Sequence, residues 1–297
     1  MTNDTEERNV SGWLKQPEDP RDYQLYQYRP DMLAVDLPAS VDLRGANQPP
    51  IDNQGALGSC VAWACVRGYR YAQRKTGLPD FDGSELFTYY GARELAGWVN
   101  EDKGAYLRDG IKTLATNGNA DEATWPYQIW RFAEKPQQSA YASAAAHQAT
   151  RYLAVPNMEP SIKQVLASGY PVVFGIPIYQ NFPMGNGVET IPDPVGQVIG
   201  GHAMTIVGYD DARRAYLMAN SWGDSWGNSG YAWMSYNYFG SQAADLWMIE
   251  TVEGDVPTPP PPPPTPTTIP YYVSGIRYDK MSDGSIWTST FKYDAPR

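Results

Sequence analysis

Gln54-Gly55-Ala56-Leu57-Gly58-Ser59-Cys60 is the stretch on which the reading of this chain turns. Small and apolar residues follow it at helical spacing (Val61, Ala64, Cys65, Tyr69, Ala72), and Gly77 lies just past their end. The pattern predicts a helix over Cys60 to Lys75 with a thiol in its first turn. Unpaired backbone N–H groups and the positive end of the helix dipole favour a thiolate there. Gly55 and Gly58 let the preceding loop turn tightly, and Gln54 can return its amide to the mouth of that loop. A cysteine at a helix start is more often a buried small hydrophobe than a nucleophile, so the rest of the chain has to decide.

Two further pieces bear on it. Gly200-Gly201-His202 leads into the apolar run Ala203 to Tyr209, which reads as a strand. Asn220-Ser221-Trp222-Gly223 ends the next predicted strand, Tyr216 to Ala219. Alone, the first reads as a structural histidine and the second as a turn. Together with Cys60 they form a set: a thiol nucleophile needs a base, and the base needs an orienting group. An Asn side chain can hold an imidazole N–H, and a neighbouring Trp can keep water off that bond. The chain has two His and two Cys, so the alternatives are few. His147 lies in an Ala-rich segment and Cys65 inside the predicted helix, and both read as packing residues.

The order Cys, His, Asn is similar to that of the papain family of cysteine peptidases, in which His and Asn lie roughly 130–150 residues after the nucleophile. His202 falls inside that window and Asn220 slightly beyond it. The six-residue spacing from Gln54 to Cys60 matches the family's oxyanion-hole Gln and nucleophile. Gly201-His202-Ala203 and Asn220-Ser221-Trp222-Gly223 resemble its His and Asn blocks, and Trp226-Gly227, Gly230 and Tyr231 continue the likeness. Leu37-Pro38 with Val41-Asp42-Leu43-Arg44 resembles the start of the mature family domain, and Trp125-Pro126-Tyr127 the segment between its lobes. The arm with Gly12-Trp13 and Asp19-Pro20-Arg21-Asp22-Tyr23 looks like that of the family's bacterial and phage branch. The resemblance implies an α+β, two-lobe fold: a helical N-terminal lobe, an antiparallel β-barrel-like C-terminal lobe and a cleft between them. It implies peptide-bond hydrolysis with Cys60, His202 and Asn220 as catalytic residues. Gln54 and the Cys60 N–H would form the oxyanion hole, Trp222 would shield the His–Asn bond, and Gly104, Ala105 and Gly201 would bind substrate. Three positions depart from the family pattern: Leu57 replaces a disulfide cysteine, Val61 replaces the Trp after the nucleophile, and Gly104-Ala105 replaces a Gly-Gly pair. The alternatives are a silent papain-like binding module and a thiol acyltransferase.

The remaining chain sets the organisation. Residues 1–36 form an N-terminal extension, a candidate latency arm; 37–254 the peptidase-like domain; 255–270 a Pro/Thr-rich linker of polyproline type; and 271–297 a hairpin-like segment around Ser282-Asp283-Gly284. Helices are expected also from Ser84, over Leu107 to Thr116 and over Gln137 to Thr150, with further strands at Pro171 to Ile178 and Tyr231 to Ser235. Helices before strands point to α+β. A formal charge of −10, from 33 acids and 23 bases, excludes a broad basic surface for nucleic acid. No apolar run reaches the roughly 18 residues of a membrane helix. The His and Cys spacing suits no structural zinc site, and neither a metal nor another cofactor is expected. The expected partner is a polypeptide substrate, with partner docking assigned to the C-terminal segment. Met1 to Val10 lacks a secretory signal, so the expected location is the cytoplasm, or outside the cell by a leaderless route. Gly223-Asp224-Ser225-Trp226-Gly227 matches a hydrolase elbow in letters, but no His follows His202 to serve it.

Overall fold

The computed structural model describes residues 8–250 except 18, 35, 46 and 80, together with three strands between 271 and 290. Contacts divide the chain into two units, Met1–Glu18 with Asp22–Val256, and Asp19–Arg21 with Pro257–Arg297.

The first unit holds seven α-helices among its described residues: α1 Leu25–Tyr28, α2 Cys60–Lys75, α3 Glu85–Ala96, α4 Leu107–Thr116, α5 Gln138–Ala144, α6 Glu159–Ala167 and α7 Tyr236–Gln242. Helix α2 is buried along almost its whole length, which makes it the axis of the helical layer. Its last turn carries Arg74 and Lys75, the charges a helix C-terminus favours. Helix α3 starts where Ser84 accepts the Phe87 N–H on its hydroxyl and stops at Gly97, whose φ of 85° is left-handed. The Ala-rich stretch 137–150 is helical only over α5. Beyond it, the His147 carbonyl accepts the Asn119 N–H and the Ala149 N–H goes to the Leu114 carbonyl. Tertiary hydrogen bonds there override helix propensity.

Eight strands form the sheet: β1 Ser40–Asp42, β2 Arg151–Ala154, β3 Val172–Tyr179, β4 Thr190–Ile191, β5 Val198–Asp210, β6 Ala215–Ala219, β7 Tyr231–Ser235 and β8 Ala244–Glu250. Their order is β2-β8-β3-β5-β6-β7-β4, with β1 on β5. Every pair is antiparallel except β4 with β7. Strand β5 begins before the expected Ala203, because Gly200 and Gly201 still pair with Ile178 and Pro177 of β3. Successive residues point to opposite faces. Thus Val173, Ala203, Trp247 and Ile249 pack against α2, α3 and α4, while Phe174, Met204, Leu246 and Met248 enter a second core. Leu25 and Met32, ahead of β1, are fully buried in that second core. The result is an α+β fold with a helical layer against a mixed, mostly antiparallel sheet.

The second unit contains β9 Tyr271–Val273, β10 Ile276–Lys280 and β11 Ile286–Thr290, an antiparallel meander in the order β11-β10-β9. Lys280 faces Ile286 across β10 and β11. The turn read at Ser282-Asp283-Gly284 and the linker 255–270 lie outside the described residues.

Candidate active site

The loop 54–60 ahead of α2 is fixed from three sides. From the sheet, the Gln54 N–H donates to the Ser221 carbonyl (2.8 Å) and the Ser221 hydroxyl to Gln54 Oε1 (2.6 Å). From the inter-lobe segment, the Tyr127 hydroxyl donates to the Gln54 carbonyl (2.9 Å) and lies 2.6 Å from Ser59 Oγ. From the α3–α4 connection, the Asp102 carboxylate accepts the Gly58 N–H on both oxygens at 3.1 Å, and the Tyr89 hydroxyl donates to it as well. Gly58 permits this approach, since a Cβ there would stand 2.9 Å from Asp102 Oδ1. Asp102 and Tyr89 were not singled out from the sequence, because single residues far from the motif carry no spacing signal; Tyr127 was read only as part of Trp125-Pro126-Tyr127, with no contact assigned to it.

Cys60 opens α2 and is fully buried. The Ala203 N–H of β5 points at its Sγ from 3.4 Å. His202, the preceding residue, therefore arrives on the strand that faces the thiol. Its Nε2–H is held by Asn220 Oδ1 at 2.7 Å, and the same oxygen accepts the Ser221 N–H at 2.8 Å. An Oδ1 already committed as acceptor puts the imidazole proton on Nε2 and leaves a lone pair on Nδ1. Nδ1 is buried without a hydrogen-bond partner among the described residues. Trp222, 1% exposed, lies over the ring with centroids 4.7 Å apart and excludes water from the His–Asn bond. Phe182 and Trp226 back that indole edge-on. Gln54 spends one amide N–H on the Leu57 carbonyl at 3.0 Å and keeps a second.

A groove runs past this set and is filled by the chain's own N-terminal arm. The Gly12 carbonyl accepts the Ala105 N–H (3.0 Å), the Leu14 N–H donates to the Ala105 carbonyl (3.1 Å) and the Trp13 N–H to the Gly201 carbonyl (2.9 Å). The arm is thus laid as an extra strand, with Ser11 bridging Gly201 and Trp13 bridging Ala105, both parallel. Contact is so close that a Cβ on Gly12 would lie 2.6 Å from Cys60 Sγ, and one on Gly104 would lie 2.4 Å from the Gly12 oxygen. Gly104 also has a φ of +81°, which only glycine adopts without strain. Ala105 in place of a second glycine leaves the backbone pairing intact.

The electrostatics differ from the sequence expectation. Burial pushes the Cys60 thiol up to about 12, against the downward pull of the Ala203, Val61 and Cys60 N–H groups. Burial likewise pushes His202 down to about 4, with the Asn220 bond opposing. The backbone N–H groups at the helix start pull as anticipated from the sequence, but burial outweighs them. With the groove filled, thiol and imidazole are both neutral at pH 7. Cys65 is also buried and raised, and its Sγ lies 3.9 Å from the Leu107 carbonyl. His147 stacks on Phe81 at 3.9 Å, away from this set.

Thiol, imidazole and amide brought together in this way define a class, proteins built around a candidate cysteine nucleophile. Within that class the chain belongs to the papain family cysteine proteases, whose sequence pattern matches residues 37–246. It is 35% identical over 219 residues to an uncharacterised peptidase C1-like protein of Acanthamoeba polyphaga mimivirus, a match covering 67% of this chain and 69% of that one. Xylellain, a cysteine protease from Xylella fastidiosa, is similar in structure with a TM-score of 0.76 at 34% identity, over 85% of this chain and all (100%) of that one. Digestive procathepsin L 3 of Tenebrio molitor shares the fold at 20% identity and a TM-score of 0.62, over 73% of this chain and 71% of that one.

Proposed function

We propose that this chain is a cysteine peptidase that hydrolyses polypeptides through Cys60, His202 and Asn220, held latent by its N-terminal arm. The observation that carries the reading is the His202 ring: Nε2 is tied to Asn220, and a buried, unpartnered Nδ1 is left on the strand that faces Cys60 Sγ. Nδ1 takes the thiol proton and the thiolate attacks the substrate carbonyl carbon. The oxyanion is received by the Cys60 N–H and the second Gln54 N–H, each such donor being worth about 3 kcal/mol in the transition state. The proton on Nδ1 then passes to the leaving amine, and water hydrolyses the thioester with His202 as base. Asn220 holds the ring through both half-reactions, and Trp222 keeps their hydrogen bond dry.

The arm is latent, not a substrate, because its carbonyl beside the thiol is turned away. The Gly12 oxygen is engaged by the Ala105 N–H and is not offered to the oxyanion donors. A permanently filled cleft on a silent scaffold is the second reading, and the same arm contacts favour it. Turnover of a fluorogenic peptide mixture by the full chain carrying Trp13→Ala decides between them. The peptidase reading expects turnover that Cys60→Ala abolishes, whereas the silent scaffold gives none. Product analysis with an added amine separates hydrolysis from acyl transfer.

A further inference from the structure

Both oxyanion donors of the proposed reaction belong to the loop 54–60, the Gln54 amide at its start and the Cys60 N–H at its end. One phenol grips the loop at both places. The Tyr127 hydroxyl donates to the Gln54 carbonyl at 2.9 Å and lies 2.6 Å from Ser59 Oγ. A phenol carries one proton, and a carbonyl has none to give. The Ser59 hydroxyl is therefore the donor to Tyr127 Oη, and the order runs from Ser59 to Tyr127 to Gln54. Gln54 and Ser59 are both 0% exposed, so a bond lost there is not replaced by bulk water. Burial raises the phenol well above its ordinary range, which keeps its proton in place.

Tyr127 is itself held from behind. Its N–H donates to Glu122 Oε1 at 2.5 Å. The Glu122 N–H donates to the Asp82 carbonyl at 2.7 Å, and Ser84, the cap of α3, donates its hydroxyl to the Trp125 carbonyl at 2.6 Å. Pro126 adds a fixed φ just ahead of the tyrosine. The ring meets Trp63, in the first turn of α2, edge-on with centroids 5.0 Å apart. The phenol thus stands on the starts of α2 and α3 and reaches back to the loop. The loop has little of its own to set the distance between its ends, since Gly55 has a φ of +60° and Gly58 has no side chain. Ser221 holds Gln54, and Asp102 holds Gly58. Among the described residues, Tyr127 is the side chain bonded to both Gln54 and Ser59.

We propose that Tyr127 is a positioning residue: its hydroxyl fixes the spacing between the Gln54 and Cys60 oxyanion donors, and so acts on the transition state and not on substrate binding. This rests on the peptidase reading, but one of its tests needs no turnover. Tyr127→Phe removes the hydroxyl alone. It is made in the full-length Trp13→Ala chain, which lacks the arm's buried indole (7% exposed) and its bond to Asp245 Oδ2 at 3.0 Å. On a fluorogenic peptide mixture kcat is expected to fall about tenfold with KM within about twofold, the pattern of an interaction made in the transition state. Iodoacetamide needs the thiol and no oxyanion, so alkylation of Cys60 is expected to stay within about twofold. The probe that needs no turnover is acetyl-phenylalanyl-glycine nitrile. The thiol adds across its C≡N: the Sγ–C bond forms, one π pair moves to nitrogen, and the thiol proton reaches that nitrogen by way of His202. The nitrogen of the resulting thioimidate takes the place of the oxyanion. Its dissociation constant, read as protection of Cys60 from alkylation, is expected to rise about tenfold with Tyr127→Phe. Adding Ser59→Ala is expected to cost less than about twofold more, because the bond it would break has already gone. Unchanged kcat and nitrile affinity overturn the proposal. So does a further full loss with Ser59→Ala, or a loss shared equally by alkylation, which marks a distorted thiol site. A tenfold loss of nitrile affinity in chains that turn over no peptide would instead overturn the peptidase reading and leave the positioning role standing. A thiol that forms no adduct in either chain overturns both.

Discussion

Three partly or fully buried residues titrate in opposing senses, and the signs can be tested. His202 is held neutral by burial at about 4. A depressed histidine stabilises the fold fully above its unfolded value of about 6.5, and that contribution is lost as pH falls towards 4. Asp245 is pushed up to about 6 and Glu122 to about 7, in both cases chiefly by burial. The Gln16 N–H and the Trp13 indole N–H, then Arg108 and Lys15, oppose the shift at Asp245, and the Tyr127 N–H opposes it at Glu122. Their contributions run the other way, present below the unfolded carboxylate value and lost as pH rises through 6 to 7. Asp245→Asn should therefore gain on the native chain at pH 7 and lose that gain by pH 4, a swing of about 2 kcal/mol. Urea midpoints against pH measure it, and parallel curves for the two proteins would refute the assignment.

The thiol offers a second test at the same scale. In the native chain Cys60 and Cys65 are both fully buried with raised values. Iodoacetamide should label both slowly at pH 8. Gly12→Ala puts a methyl 2.6 Å from Cys60 Sγ and from the Gly58 oxygen, so the arm has to lift. Overpacking of this kind costs about 1–3 kcal/mol, which is about five- to 150-fold in the docked population. Faster labelling of Cys60 alone is the expected result, and unchanged labelling would mean that the arm does not guard the thiol.

Among the elements, the loop 54–60 is what the flanking segments hold in place. Asp102 accepts the Gly58 N–H and the Tyr89 hydroxyl, and the Tyr89 oxygen receives the Gly104 N–H at 3.3 Å. One carboxylate thus ties the loop 54–60 to the opposite lip of the groove. Asp102→Ala leaves the Gly58 N–H unpaired, a cost of about 1–3 kcal/mol expressed as loop displacement. In a Trp13→Ala background, kcat/KM should fall about ten- to a hundredfold, with partial recovery in Asp102→Asn, while the far-ultraviolet spectrum is unchanged. No change in kcat/KM would remove Asp102 as a positioning residue. The sequence revealed this level unevenly. Helix α2 and strand β7 were legible to the residue, because glycine and turn residues punctuate them. Strand β8 and helix α6 were not. β8 is buried on both faces, so no polar alternation marks it, and the short amphipathic signal of α6 is interrupted by Lys163 and Gln164.

For the molecule as a whole, the two layers place each half of the candidate set on a different support: the thiol on the axial helix, the imidazole on β5 and the amide just past the end of the adjacent β6. The chemistry a thiol nucleophile needs, together with the resemblance to the papain family, brought Cys60, His202, Asn220, Trp222 and Gln54 into one set, because each sits in a short block with strong local character. What it did not reveal was the state of the site. The depressed thiol expected of a helix start is reversed by burial, and nothing local to Cys60 encodes that. Segment 22–34 contributes Leu25 and Met32 to the sheet-side core, so releasing the cleft calls for loss of the Trp13 anchor and not of the whole extension.

The most direct measurement is hydrolysis of a fluorogenic peptide mixture by three full-length proteins: native, Trp13→Ala, and Trp13→Ala with Cys60→Ala. The account predicts slow turnover by the native chain, faster turnover once the anchor is lost, and a fall of more than about 10³-fold when the thiol is removed. Turnover that survives Cys60→Ala, or its absence from the Trp13→Ala chain, would contradict it.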